Sequence, residues 1–180
     1  MNRFSISVAV AALFAAPTVF AQSIGEKTGV NSALGISPTT EDFVKEAATS
    51  DMLEIAAAKL AQDKGNAEER KFAEQMIADH TKTSADIKGM VAGGDVKADL
   101  PSTLDDSSQK KLDKLRDTKA SAFPSQYDPM QVSAHKDAVS LFERYSKSGD
   151  NAKLKDWAGK TLPTLRHHLE MAEALDKARD

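Results

Sequence analysis

The sequence contains no cysteine, so the chain can form no disulfide and cannot carry a lipid on a cysteine side chain. Aromatic residues make up only 6% of the chain, whereas alanine, leucine, lysine and the acidic residues are abundant, which favours helix over sheet. The formal net charge is −3, and no basic patch is interleaved with aromatic residues. This pattern argues against a nucleic-acid partner.

Long apolar runs are also scarce. The only one lies at residues 6–16, after a single early positive charge at Arg3. This run is about a dozen residues, shorter than the roughly 20 needed to cross a bilayer. Val19 and Ala21 suit the −3 and −1 positions of a secretory cleavage site. We therefore predict a signal peptide at residues 1–21 that directs the chain to the periplasm or the medium. The alternative is an N-terminal membrane anchor.

The mature chain is predicted to consist of a flexible leader and one domain. Residues 22–38 contain three glycines and show no sustained periodicity, which is typical of a mobile segment. Residues 39–178 show helical periodicity nearly throughout, and this length suffices for one buried core. No stretch of this part is long and apolar enough to span a membrane.

Five helices are predicted within this domain. Four are long and one is short and charged; their approximate ranges are 40–63, 67–92, 105–118, 125 or 129–146, and 152–178. Pro163 falls inside the last range, where it predicts a kink or a break between residues 160 and 163. The pattern predicts an all-α fold, a four-helix up-down bundle with one extra short helix and a proline-kinked last helix.

Each long helix carries a polar residue on its apolar stripe. The four residues are Glu54, His80, His135 and His168. Burial of an unpaired carboxylate or imidazole costs several kcal/mol, so these groups must satisfy one another, other polar groups or a metal ion. Three imidazoles and a carboxylate suit zinc, copper or iron, provided that they lie at the same height in the bundle.

Neighbouring residues refine the metal hypothesis. Asp79 is a candidate to accept a hydrogen bond from a ligating ring and so orient it. Met76 and Met171 lie four residues from a histidine, and a thioether beside an imidazole favours Cu(I), although methionine at helical spacing is also ordinary core filler. His167 is predicted to lie on the flank of its helix. Without a metal, the inner histidines would form a hydrogen-bonded polar core.

No motif for nucleophilic catalysis or phosphate binding is present, and the chain is not predicted to be an enzyme. A mononuclear site with an open position, which activates water or oxygen, is the enzymatic alternative. Another alternative is a structural or interaction module of the cell envelope with no metal.

Four segments of the chain resemble, in order and spacing, the bacterial domain of unknown function 4142. The segments are FVKEAATSDMLEIAAAKLA, KFAEQMIADHTKT, QVSAHKDAVSLF and LPTLRHHLEMAEAL. This resemblance implies an exported protein, often labelled an outer membrane protein, with a ferritin-like fold and histidines at the positions of His80, His135 and His168. It implies no activity. We expect the partner of the chain to be either an envelope protein or a metal ion.

The ferritin-like kinship does not extend to di-iron chemistry. Carboxylate-bridged di-iron bundles use two Glu-x-x-His motifs together with two further glutamates. The residues three positions before the four histidines are Ile77, Val132, Thr164 and Leu165, none of which is acidic. A di-iron centre is therefore not expected.

Overall fold

The computed structural model describes residues 30–179, and every regular element in this range is helical. The predicted all-α fold is confirmed. The predicted signal peptide and residues 22–29 of the predicted leader lie outside the described range. Within that range, no helix combines the length and the apolar character that a membrane span requires.

Six α-helices make up the described chain. They are α1 (Val30–Ala33), α2 (Thr40–Lys64), α3 (Ala67–Ala92), α4 (Asp106–Asp117), α5 (Phe123–Ser148) and α6 (Ala152–Arg179), with a short 3₁₀ turn at Ala120–Ala122 before α5. The four long helices and the short one agree closely with the predicted ranges.

Side-chain caps fix where the first long helices begin. Thr39 Oγ1 accepts a hydrogen bond from the Asp42 amide at 3.1 Å at the start of α2. At the start of α3, the Asn66 side chain accepts from the Glu69 amide, and Glu69 Oε2 accepts from the Asn66 amide at 2.7 Å. Such caps stabilise a helix by about 1 kcal/mol each.

Proline has less effect on the two C-terminal helices than the sequence pattern predicts. Helix α5 begins at Phe123, before both predicted starts, because Pro124 lies in the first turn, where no amide donor is needed. Helix α6 runs without interruption through Pro163, so the predicted break is wrong; the lost hydrogen bond is one among many in a 28-residue helix. The predicted kink stays a prediction.

The long helices form two antiparallel pairs, α2 with α3 and α5 with α6, and the pairs pack so that α2 contacts α5 and α3 contacts α6. Helices α3 and α5 run in the same direction, because both pass from one apolar cluster to the other in the same order. The up-down order therefore holds within each pair, whereas residues 93–122, which include α4, cross back along the bundle between the pairs.

Two apolar clusters fill the bundle, one toward each end. The upper cluster contains Phe43, Val44, Ala47, Ile87, Met90, Val96, Ala138, Leu141, Phe142, Tyr145, Leu154, Ala158, Leu162 and Leu165. The lower cluster contains Ala57, Ala58, Ala61, Phe72, Ala73, Met76, Leu115, Phe123, Tyr127 and Ala172. On every long helix a short stretch between these two sets carries buried polar residues instead. This polar layer positions the candidate site.

The described part of the predicted leader is hydrogen-bonded to α5. Ser32 Oγ lies 3.0 Å from Ser140 Oγ, and Arg144 Nη1 donates to the Ile36 carbonyl at 2.6 Å. The short helix α1 thus lies against the bundle, and the flexibility of the leader stays a prediction.

Candidate metal centre

The polar layer brings three histidines from three different helices together in the core. His80 of α3, His135 of α5 and His168 of α6 are each at most 3% exposed. Their ring centroids are 5.4 to 5.8 Å apart, which makes a nearly equilateral triangle. One potential ligand nitrogen from each ring lies within 4.8 Å of those of the other two. A tetrahedral zinc ion needs such nitrogens about 3.4 Å apart, so metal binding would require the rings to move closer together.

One nitrogen of the His135 ring is fixed by a backbone carbonyl. His135 Nδ1 lies 2.9 Å from the carbonyl oxygen of Gln131, one turn earlier in α5. Because a carbonyl can only accept, Nδ1 carries the hydrogen, and the neutral ring presents a lone pair at Nε2. This Nε2 atom is buried and has no partner among the described protein atoms.

Carboxylates fix the other two rings in the same way. His80 Nδ1 lies 2.8 Å from Asp51 Oδ1, and His168 Nε2 lies 2.8 Å from Asp79 Oδ2. Each carboxylate accepts the ring hydrogen, so the neutral rings present lone pairs at His80 Nε2 and His168 Nδ1. Both of these atoms are buried and without a described protein partner. A metal-binding histidine typically has its second nitrogen held in this manner.

The electrostatics of the layer keep two of the rings neutral. Burial and the neighbouring His135 and His80 rings lower the pKa of His168 from 6.5 to about 4, although Asp79 opposes the shift. Burial also lowers the pKa of His135, and the charge of Glu54 offsets only part of that effect. At neutral pH both rings are therefore in the form that binds metal.

His80 differs because it faces more negative charge. Burial lowers its pKa, but the hydrogen bond to Asp51 and the charge of Glu54 outweigh burial, so the pKa lies above its ordinary value. A metal ion therefore competes with a proton at His80. Asp79, in turn, has its pKa raised by burial, but hydrogen bonds from Gln75 and His168 bring it below the ordinary value.

Glu54 of α2 adds a third carboxylate near the histidines, besides Asp51 and Asp79. Its side chain is 1% exposed, and neither carboxylate oxygen has a hydrogen-bond partner among the described protein atoms. Its charge acts on His80 and His135, yet it does not belong to the group of ligand atoms that lie within 4.8 Å of one another. Glu54 thus lies close enough to the three-histidine cluster to affect its electrostatics, but it is not one of the three potential ligands.

The remaining predicted residues separate into those at the cluster and those away from it. Asp79 contacts a histidine, but that histidine is His168 of the neighbouring helix and not the adjacent His80. Met76 and Met171 pack in the lower cluster, in the role of core filler. The His167 side chain is 67% exposed and lies 3.8 Å from Glu170, on the outer surface as predicted.

Sequence reasoning missed further buried polar residues, among them Asp51 and Gln131 in the layer and Tyr127 in the lower cluster. Asp51, which holds His80 and also accepts from the Thr83 hydroxyl, lies three residues before Glu54 and hence on the same helix face. Gln131 and Tyr127 precede His135 by one and two turns and are fully buried. These spacings are the signal that could have identified all three.

Fold and site together define a class: an all-helical bundle whose core contains a three-histidine cluster with a buried carboxylate beside it. The chain belongs to the family described as Domain of unknown function (DUF4142), whose sequence profile matches residues 25–175. No curated protein and no solved structure matched the chain in the corresponding comparisons.

Proposed function

We propose that this chain is an exported metal-binding protein that holds one transition-metal ion through His80, His135 and His168, with Glu54 balancing its charge. The protein buffers or delivers metal in the cell envelope and performs no catalysis that the sequence identifies. The observation that carries this proposal is the orientation of the rings: each has one nitrogen held by an acceptor and leaves the other buried and unpaired.

A metal-free polar core accounts less well for these atoms. In such a network each buried nitrogen needs a hydrogen-bond donor, either a protein group or an ordered water, since an unsatisfied buried polar group costs about 1–3 kcal/mol. The layer leaves three ring nitrogens and two carboxylate oxygens without one among the described residues. A cation that binds the three nitrogens gives each of them a partner, and its positive charge offsets the negative charge of Glu54.

The ligand set favours zinc, Cu(II) or iron over Cu(I). Imidazole nitrogens and carboxylate oxygens suit these ions, whereas Cu(I) prefers soft sulfur ligands. Met76 and Met171 pack with apolar side chains, which gives Cu(I) no support.

Two further parts of the proposal rest on sequence and connectivity. Export rests on the signal-peptide pattern of residues 1–21. Kinship with ferritin-like folds is supported by the single long crossover between the two helix pairs, a connectivity that those folds use.

Calorimetric titration of the metal-free mature protein with Zn(II), and in parallel with Cu(II) and Fe(II), tests this proposal. We expect one ion to bind per chain, and the double variant His80→Ala with His168→Ala to lose binding. His167→Ala is the matched control, because it removes an exposed histidine next to His168 and should bind as the wild type does. The proposal fails if the double variant and the control bind metal equally.

A further inference from the structure

Beside the histidine cluster, the core holds a second group of buried polar atoms without described protein partners. The group consists of both carboxylate oxygens of Glu54, both amide atoms of the Gln131 side chain and the Tyr127 hydroxyl. All three side chains are at most 1% exposed. The Glu54 carboxylate can only accept hydrogen bonds, whereas the Gln131 amide and the Tyr127 hydroxyl can each donate and accept.

The helical spacing places this group directly below the histidines. Tyr127, Gln131 and His135 follow one another at intervals of four residues, so they share one face of α5. Glu54 reaches the same region from α2, since its charge acts on Tyr127 as well as on His80 and His135. Glu54 thus lies near both the histidine cluster and the polar side chains of α5.

The free-energy cost of burying these polar atoms indicates that a bound molecule forms hydrogen bonds with them. Five buried polar atoms without partners would together cost several kcal/mol. Buried polar groups of this kind are satisfied by ordered water or by a ligand, and a buried water typically makes about three hydrogen bonds.

We propose that the metal ion in this site keeps an exchangeable oxygen ligand, a solvent water, which donates to the Glu54 carboxylate and is enclosed by Gln131 and Tyr127. This inference rests on the proposed function. Three histidines fill three positions of a four-coordinate ion, and Glu54 lies outside the 4.8 Å group that they form, so we assign the fourth position to a water that bridges the ion and the carboxylate.

The ligand class follows from the charge of Glu54. A water or another small neutral molecule can donate to the carboxylate and bind the ion through oxygen. A small anion is disfavoured there, since it would lie against a buried negative charge. The metal centre is consequently of the open kind, with three protein ligands and one replaceable position.

Pulsed electron paramagnetic resonance of the Cu(II)-loaded protein in ¹⁷O-enriched water tests this inference. We expect a ¹⁷O coupling from one bound water in the wild type and in Glu54→Gln, although the variant should bind Cu(II) more weakly because the buried charge that balances the ion is lost. Direct ligation by Glu54 would overturn the proposal; the wild type would then show no ¹⁷O coupling.

Azide provides a second readout on the same Cu(II)-loaded samples. Because Glu54→Gln removes the buried negative charge, we expect azide to bind this variant at least tenfold more tightly than the wild type. Glu74→Gln is the matched control, since it removes one charge at an exposed position of α3 and should leave azide affinity unchanged. Equal azide affinity in all three proteins would contradict the proposal that the Glu54 charge lies next to the exchangeable position of the ion. Absence of uptake of Zn(II), Cu(II) and Fe(II) alike would instead refute the proposed function itself.

Discussion

At the scale of single residues, the proposed centre depends on the groups that accept a hydrogen bond from one nitrogen of each histidine ring. A backbone carbonyl holds His135, whereas the carboxylates of Asp51 and Asp79 hold His80 and His168. These acceptors select the tautomer and leave each lone pair on a buried nitrogen that has no partner among the described residues. Asp79 can be altered with the least disturbance, because it is only partly buried.

Replacement of Asp79 by alanine should weaken metal binding by about 10- to 100-fold, because the His168 ring loses the acceptor that orients it. The affinity is measured by competition with a chromophoric chelator. Gln75→Ala, which removes the other partner of Asp79 and leaves the ring contact intact, should change affinity less than threefold. Equal affinities for Asp79→Ala and the wild type would show that the contact has no orienting role.

The depressed pKa of His168 predicts a pH-dependent stability of the metal-free protein. Between pH 6.5 and about 4 the unfolded chain takes up a proton on this ring while the folded chain does not, so stability falls as the pH falls. The full loss is about 3 kcal/mol below pH 4. Urea unfolding in the presence of chelator should show that the wild type loses this much more stability than His168→Gln between pH 7 and pH 4. A constant difference between the two proteins would contradict the assigned pKa.

At the scale of helices, the close contact at the C-terminal end of α5 stabilises the upper cluster. The Tyr145 ring stacks on Phe43 at a centroid distance of 4.1 Å, and its hydroxyl lies 2.6 Å from Thr40 Oγ1. This arrangement needs glycine at position 149, where an added Cβ would lie 2.6 Å from the Tyr145 ring. The turn between α5 and α6 is therefore fixed by packing and not by backbone strain, since the φ of Gly149 is −60°.

Gly149→Ala should lower the free energy of unfolding by about 1–3 kcal/mol, because the Tyr145 ring must shift away from the new methyl group. Gly89→Ala is the contrasting variant. Gly89 lies inside α3 with no atom within 4 Å of an added Cβ, and alanine there should stabilise the protein by about 0.5–1 kcal/mol. Denaturant unfolding of both variants measures the two effects, and a stabilised Gly149→Ala would refute the proposed packing.

The helices themselves could be predicted well, because their signals are local. The capping box of Asn66 and Glu69 and the apolar periodicity determine an element from a few neighbouring residues. The continuity of α6 through Pro163 could not be predicted from the sequence, since the packing of a long helix outweighs one lost hydrogen bond.

At the scale of the whole molecule, the candidate centre links all four long helices. Glu54, His80, His135 and His168 come from α2, α3, α5 and α6, and they lie between the two apolar clusters. Their common height is a property of the assembled bundle, since it depends on helix direction and on the crossover at residues 93–122. The sequence predicted four inward polar side chains, whereas the convergence of the three histidines and the contact of Asp51 with His80 required the tertiary structure.

The most direct test of the metal centre is the metal content of the mature protein, purified without chelator and without an affinity metal and then dialysed against trace zinc, copper and iron. Elemental analysis should find about one ion of a single metal per chain in the wild type and in His167→Ala, and less than a tenth of that in His135→Ala. Wild-type protein that retains none of these metals after dialysis would contradict the account and leave the layer as a polar core without an ion.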